Sequence, residues 1–191
     1  MELYSAFDQA IASTAQFIKG VRSDKLSAKT PCAEWDTRAL VNHLIGTLWL
    51  SEALLADTAP RYPMAPGGLP AEDLVGSDPA AAYADASAAA LMAAGTGDSL
   101  SRMHVTPLGN MPGPVLAGFT TLDIVVHGWD LARATGQPAT LDSALADHVL
   151  DFARQTLATS ESRAGRIGPE IPVPADAPVT DRLVGFLGRQ P

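Results

Sequence analysis

A nearly uninterrupted apolar run near the middle of the chain carries three ionisable side chains, and this combination most constrains the fold. The run covers residues 122–132 (LDIVVHGWDLA) and contains Asp123, His127 and Asp130. In a helix these three positions fall within roughly 60° of one another, because each residue turns the chain by about 100°. Charged groups on a buried helix are costly unless they are paired or bind a metal. The run therefore predicts a buried helix with either a metal site or an Asp–His ion pair on one face.

Apolar periodicity along the rest of the chain predicts an all-α fold in a single domain over residues 1–191. Four long helices are expected around a core, with a fifth packed outside or replacing one of them. Residues 102–108 are expected to be extended, Gly109–Pro114 to form a turn, and the tail from Gly165 to be rich in proline. The helices are predicted at about residues 3–20, 37–55, 79–94, 115–135 and 141–159, with a last short segment at 180–187.

The predicted helix over residues 37–55 is apolar nearly all round and should be a central helix. Asp36 is expected to cap its N-terminus, with Trp35 as the apolar half of a hydrophobic staple. His43 lies in the middle of this helix. Antiparallel helices of a bundle can bring such a position close to a site on a facing helix, so His43 is a candidate partner of the 122–132 run.

His43, Asp123 and His127 together form a set of two imidazoles and one carboxylate. Such a set leaves a coordination position open for water or substrate. It binds Zn(II), and also Fe(II), Ni(II) or Mn(II). The three residues are therefore candidate ligands of one divalent metal, with zinc the first choice. The alternative is a metal-free bundle in which Asp123 and His127 form a buried ion pair.

Asp130, Cys32 and the segment 58–77 each allow two interpretations. Asp130 is either an outer group that orients a metal-binding imidazole or the partner of Arg133 or Arg102 in a salt bridge. Cys32 precedes a helix N-terminus, so it is either a thiol of lowered pKa or a small buried hydrophobic residue. The Pro- and Gly-rich segment 58–77 is a long loop that is expected to form a lid or a rim of the site.

Charge and motif content exclude several classes of function. The net charge is −8 and no dense Lys/Arg cluster occurs, which argues against nucleic-acid binding. The single cysteine excludes an intrachain disulfide. The N-terminal segment predicts no signal peptide, and no apolar run approaches about 18 residues, so a cytoplasmic protein without a membrane partner is expected. No phosphate-binding loop and no serine-hydrolase elbow is found.

Three segments resemble a known family: TPCAEWDTRALVNHLIG, DIVVHGWDLARATGQP and the ending VPADAPVTDRLVGFLGRQP. They resemble an actinobacterial family of metal-binding proteins in the DinB-like superfamily, related to the N-terminal domain of mycothiol-dependent maleylpyruvate isomerase. The resemblance implies a DinB-like four-helix bundle with an extra C-terminal helix and an irregular tail. It also implies one divalent metal held by His43, Asp123 and His127. The isomerase branch has Glu at the carboxylate position, so Asp123 departs from its pattern.

The resemblance further implies a reaction class, because the superfamily includes S-transferases and isomerases that use mycothiol or bacillithiol. A metal lowers the pKa of a nearby thiol, so a mycothiol-dependent reaction with a small electrophile is the first interpretation. The alternatives are a non-enzymatic metal- or small-molecule-binding bundle and, less favoured, an iron enzyme that uses dioxygen. The chain is too short for the additional domain of maleylpyruvate isomerase, so that activity is not expected. DinB-like bundles often pair, so a homodimer is a further expectation.

Overall fold

The computed structural model describes residues 1–65, 67–107, 109–163 and 167–191. The chain divides into two compact units, Glu2–Ala139 and Thr140–Pro191, with Met1 grouped with the second. A single domain over residues 1–191 stays a prediction. The expected start of the tail, Gly165, lies outside the described residues, and residues 167–178 carry no helix or strand.

The first unit is a four-helix bundle, and the predicted all-α, DinB-like fold class is confirmed. Both α1 and α2 pack against α3 and α4. Each observed boundary lies within two residues of its prediction. The helices are α1 (Leu3–Lys19), α2 (Thr37–Ala56), α3 (Pro79–Ala94) and α4 (Gly113–Thr135).

Local capping chemistry explains why these helices begin and end where the sequence predicts. Asp36 accepts a hydrogen bond from the Ala39 N–H at the start of α2, as expected. Asp78 caps α3 in the same way. At the end of α4, Gly136 adopts the left-handed backbone with φ 76°, which glycine tolerates without strain. These signals lie within a few residues of each boundary, so the sequence carries them.

A small hairpin joins α3 to α4. Strand β1 (Met103–Thr106) pairs antiparallel with β2 (Gly109–Pro112). The extended segment was predicted, but the expectation of a turn over Gly109–Pro114 is wrong, because those residues form the second strand and the first turn of α4. Strand formation there depends on pairing with β1, and a local composition of Gly and Pro does not reveal that partner.

A close approach between α1 and α4 sets the position of the central helix. A Cβ atom on Gly128 would lie 2.3 Å from the Thr14 hydroxyl oxygen, so only glycine fits there. The Thr14 hydroxyl donates a hydrogen bond to the Ile124 carbonyl at 3.0 Å. Together these contacts fix how α4 lies against α1 and therefore how Asp123 and His127 face α2.

Helices α2 and α4 are long and apolar enough to cross a membrane by length and composition alone. Within the protein, 56% of the apolar window of α2 and 83% of that of α4 are buried. This degree of burial is typical of the core helices of a soluble bundle. Their apolar character is therefore explained by packing.

The second unit supplies the extra C-terminal helix and the irregular tail. It contains α5 (Ser143–Thr156), α6 (Ser160–Arg163) and α7 (Val179–Phe186), and α5 packs against α7. Asp142 caps α5 by accepting a hydrogen bond from the Leu145 N–H, so this helix begins two residues later than predicted.

Candidate metal centre

The bundle brings His43, Asp123 and His127 together from α2 and α4. His43 Nε2 lies 2.9 Å from Asp123 Oδ2, and His127 Nε2 lies 3.5 Å from Asp123 Oδ1. The two imidazole rings are 4.8 Å apart and nearly perpendicular. The candidate ligand atoms of the three side chains all lie within 4.8 Å of one another. The three residues are thus placed where a single ion could contact all of them.

The outer nitrogen of each imidazole also faces an oxygen acceptor. His43 Nδ1 lies 2.5 Å from the Gly68 carbonyl, and His127 Nδ1 lies 3.0 Å from Asp130 Oδ2. A neutral imidazole carries only one N–H. When that proton is donated outward from Nδ1, each Nε2 turns a lone pair toward the negatively charged Asp123. The arrangement therefore needs additional positive charge beside Asp123, either protons on the imidazoles or a bound cation.

The electrostatics of the metal-free centre follow from the same contacts. Burial lowers the pKa of His43, but the charge and hydrogen bond of Asp123 outweigh it, and the pKa is raised. Burial alone would raise the pKa of Asp123, but the charges of His43 and His127 hold it well below its usual range. The Thr47 hydroxyl, 3.2 Å from Asp123 Oδ2, acts in the same direction. In the metal-free centre, the raised pKa of His43 and the lowered pKa of Asp123 both favour an ion pair between the imidazolium and the carboxylate.

Asp130 lies beneath His127 and is fully buried. Its carboxylate accepts the hydrogen bond from the Nδ1 side of His127, which fixes the ring and leaves Nε2 directed at Asp123. Of the two predicted partners for a salt bridge, Arg102 pairs with Asp57, and Arg133 lies over the Trp129 ring. The geometry favours an orienting role for Asp130, which stays a prediction.

Cys32 belongs to the surroundings of the centre, a role that neither sequence interpretation anticipated. Its sulfur lies 3.2 Å from Asp130 Oδ2 and 3.5 Å from His127 Nδ1. Cys32, His127 and Asp130 form a second group of donor atoms close enough to hold a metal. Because this group uses the opposite nitrogen of His127, Cys32 contacts the outer side of the centre. Its spacing of 95 residues from His127 gives no sequence signal of this contact.

Trp35 covers one side of the two imidazoles. Its ring lies 4.6 Å from the His43 ring and 5.6 Å from the His127 ring, centroid to centroid. The sequence predicted only a staple at the start of α2 and missed this contact. The aromatic surface shields the imidazoles from water on that side, which strengthens their interactions with Asp123.

Comparison with known proteins assigns the family. Residues 7–132, which include every residue of the centre, match the family described as the mycothiol maleylpyruvate isomerase N-terminal domain. Two relatives from Mycobacterium tuberculosis carry the names "Uncharacterized protein MT0763" (strain CDC 1551 / Oshkosh) and "Uncharacterized protein Rv0738" (strain ATCC 25618 / H37Rv). Each is 35% identical over 192 residues, covering 99% of this chain and 98% of the relative. No solved structure matches the chain. The chain belongs to the mycothiol maleylpyruvate isomerase N-terminal domain family, a group of DinB-like helical bundles.

Proposed function

We propose that the protein binds one divalent metal through His43, Asp123 and His127, and catalyses a mycothiol-dependent transfer or isomerisation of a small electrophile. One observation carries the proposal. Two Nε2 atoms face a single carboxylate, while both Nδ1 atoms already lie against oxygen acceptors. A divalent cation between the three groups would satisfy all of them at once.

The donor set suits the proposed ion. Two neutral imidazoles and one carboxylate suit Zn(II), with Ni(II), Fe(II) and Mn(II) as further candidates. Three protein donors leave room for a thiol. When bound, the metal lowers the pKa of that thiol and supplies a thiolate near neutral pH.

The surrounding residues prepare the centre for this chemistry. The Gly68 carbonyl and Asp130 accept the Nδ1 protons, which leaves the lone pair of both Nε2 atoms available to bind the metal. The Thr47 hydroxyl donates to Asp123 Oδ2 and orients the carboxylate. Trp35 limits the access of water to the imidazoles. Each of these groups acts on a ligand, so each is a positioning residue.

Membership of the family supports mycothiol as the thiol, since the matched family is described by that thiol's isomerase. A low-molecular-weight thiol stays reduced in the cytoplasm, which is where we place the protein. The remaining proposed partners are a small electrophilic substrate and a second copy of the chain in a homodimer.

The test is thiol consumption by the zinc-loaded protein with mycothiol, with cysteine as the comparison thiol, in the presence of small electrophiles such as monochlorobimane. We expect turnover that requires both the metal and mycothiol. His43→Ala should abolish it. His148→Ala is the matched control, because His148 lies on α5 in the other unit. Stoichiometric metal without turnover for any thiol and electrophile would overturn the enzymatic proposal in favour of a non-enzymatic binding bundle.

A further inference from the structure

One face of α2 holds the long loop that follows it. The Asn42 side chain donates to the Glu72 carbonyl at 3.0 Å and accepts from the Leu74 N–H at 2.7 Å. One turn earlier, the Arg38 guanidinium forms an ion pair with Asp73 at 2.5 Å. Both contacts bind consecutive loop residues, so the second half of the loop is fixed to the helix.

A third attachment lies one turn further along α2, at Gly46. A Cβ atom there would lie 2.4 Å from Pro70 Cγ and 2.9 Å from Met64 Sδ, so the loop rests directly on the helix backbone. Met64 and Pro70 pair through an isolated antiparallel bridge. This bridge closes the base of a short tip next to His43.

The tip presents the Gly68 carbonyl to the imidazole of His43. The Gly68 N–H donates to the Ala65 carbonyl at 3.1 Å, which folds the tip back on itself. Gly68 has φ 79°, and a Cβ atom there would lie 3.5 Å from the Trp35 ring and 3.7 Å from His43 Nδ1. The carbonyl is thereby held 2.5 Å from His43 Nδ1.

We propose that the described residues between Met64 and Leu74 form a fixed strap that orients His43 for metal binding, with Gly68 as its positioning residue. An outer acceptor that holds the Nδ1 proton selects the tautomer with Nε2 free for the metal. The three attachments on α2 make this segment a support of the centre rather than the lid that its composition also allowed. The inference rests on the proposed metal site.

The test compares Gly68→Ala with Gly67→Ala. Both glycines have positive φ (79° and 94°), so both substitutions impose similar backbone strain. A Cβ atom on Gly67 has nothing within 4 Å, whereas the Gly68 carbonyl contacts His43 Nδ1. Zinc affinity, measured by competition with a chromophoric chelator, should weaken about 10–100-fold in Gly68→Ala and stay close to the unsubstituted value in Gly67→Ala. Equal affinities in the two variants would overturn the strap.

Gly46→Ala tests the same inference from the helix. Alanine favours a helix interior, so α2 itself should not be weakened. The new Cβ atom must displace Pro70, so zinc affinity should fall in the same direction as in Gly68→Ala. If Gly68→Ala fails to fold, the zinc affinity of Gly46→Ala becomes the test. An affinity unchanged from that of the unsubstituted protein would overturn the strap.

A metal-free readout separates this inference from the metal proposal. In chelated protein near pH 6.5, the His43 Nδ1–H should give a slowly exchanging ¹H–¹⁵N signal. Gly68→Ala should lose that signal, and Gly67→Ala should keep it. This contrast, in a protein that binds no metal, would support the strap while the proposed function fails. If the protein binds metal but Gly68→Ala and Gly67→Ala give the same Nδ1–H signal, the strap is rejected and the proposed metal site stands.

Discussion

The protein buries histidine beside aspartate in two regions that differ in how charge is balanced. The centre between α2 and α4 joins His43 and His127 to Asp123. In strand β1 of the hairpin, buried His104 lies with Nε2 2.6 Å from the Ser99 carbonyl and Nδ1 3.4 Å from Asp57 Oδ1. We refer to His104, Asp57 and Arg102 as the hairpin cluster.

The hairpin cluster contains its own permanent cation. Arg102 pairs with Asp57, and its hydrogen bond holds the pKa of that carboxyl below the usual range. Among the described residues, neither Arg nor Lys forms an ion pair with Asp123, and its positive neighbours are imidazoles. A histidine beside an arginine-paired carboxylate is a structural contact. Two histidines that share a carboxylate form the arrangement that we propose a cation completes.

The largest contrast should come from removing the charge of each aspartate. Asp123→Asn removes a proposed ligand, so zinc affinity should fall by more than about 100-fold, the upper range for outer residues. Asp57→Asn should leave zinc affinity unchanged. Chelator competition measures both, and equal losses in the two variants would remove the distinction between the regions.

A smaller loss is expected when the outer carboxylate of His127 is neutralised. Asp130→Asn weakens the acceptor at His127 Nδ1, so zinc affinity should fall about 10–100-fold. Cys32→Ser is the matched control, because serine keeps a donor for the same Asp130 oxygen. The orienting role of Asp130 would be contradicted by unchanged affinity in well-folded Asp130→Asn.

Opposite pH trends should separate the chelated and the zinc-loaded protein. The raised pKa of His43 means that its ion pair stabilises the chelated protein below about pH 6.5 and that this contribution is lost as the pH rises through the folded-state value. Because the pKa of Asp123 is lowered, its carboxylate stabilises the folded protein fully down to about pH 4. Below that pH this stabilisation declines as the carboxylate is protonated. Metal needs unprotonated imidazoles, so the zinc-induced increase in Tm should grow from pH 6.5 to 9. Thermal unfolding measures both trends.

Asp123→Asn should remove the fall in stability of the chelated protein above pH 6.5, and Asp57→Asn should retain it. A zinc-induced increase in Tm that is the same at every pH would contradict ligation through the imidazoles.

The smallest effect is expected at the hairpin cluster. Arg102→Leu removes surface ion pairs with Asp57 and Asp98 and a hydrogen bond to the Leu55 carbonyl, so Tm should fall by less than about 4 °C. Zinc content should not change. A loss of metal in this variant would mean that the two regions are coupled.

The sequence predicted the helices and the shared face of Asp123 and His127 because both depend on local patterns, whereas His43 became a candidate through its place on a facing central helix and through the family resemblance. Caps such as Asp36 mark the helix ends, and the four-residue spacing of Asp123 and His127 places them on one face. Trp35, Cys32 and Gly68 could not be assigned in advance. They reach the centre from loops, and their positions depend on tertiary contacts such as that between Gly68 and His43, 25 residues apart.

The most direct test of the account is the metal content of protein purified without chelator and without added metal, measured by elemental mass spectrometry. We predict close to one divalent metal per chain in the unsubstituted protein and in His148→Ala, and its loss in His43→Ala and His127→Ala. Absence of metal from the unsubstituted protein, even after incubation with Zn(II), Ni(II), Mn(II) and Fe(II), would contradict the account. His43, Asp123 and His127 would then form a structural cluster in which the two imidazoles pair with one carboxylate.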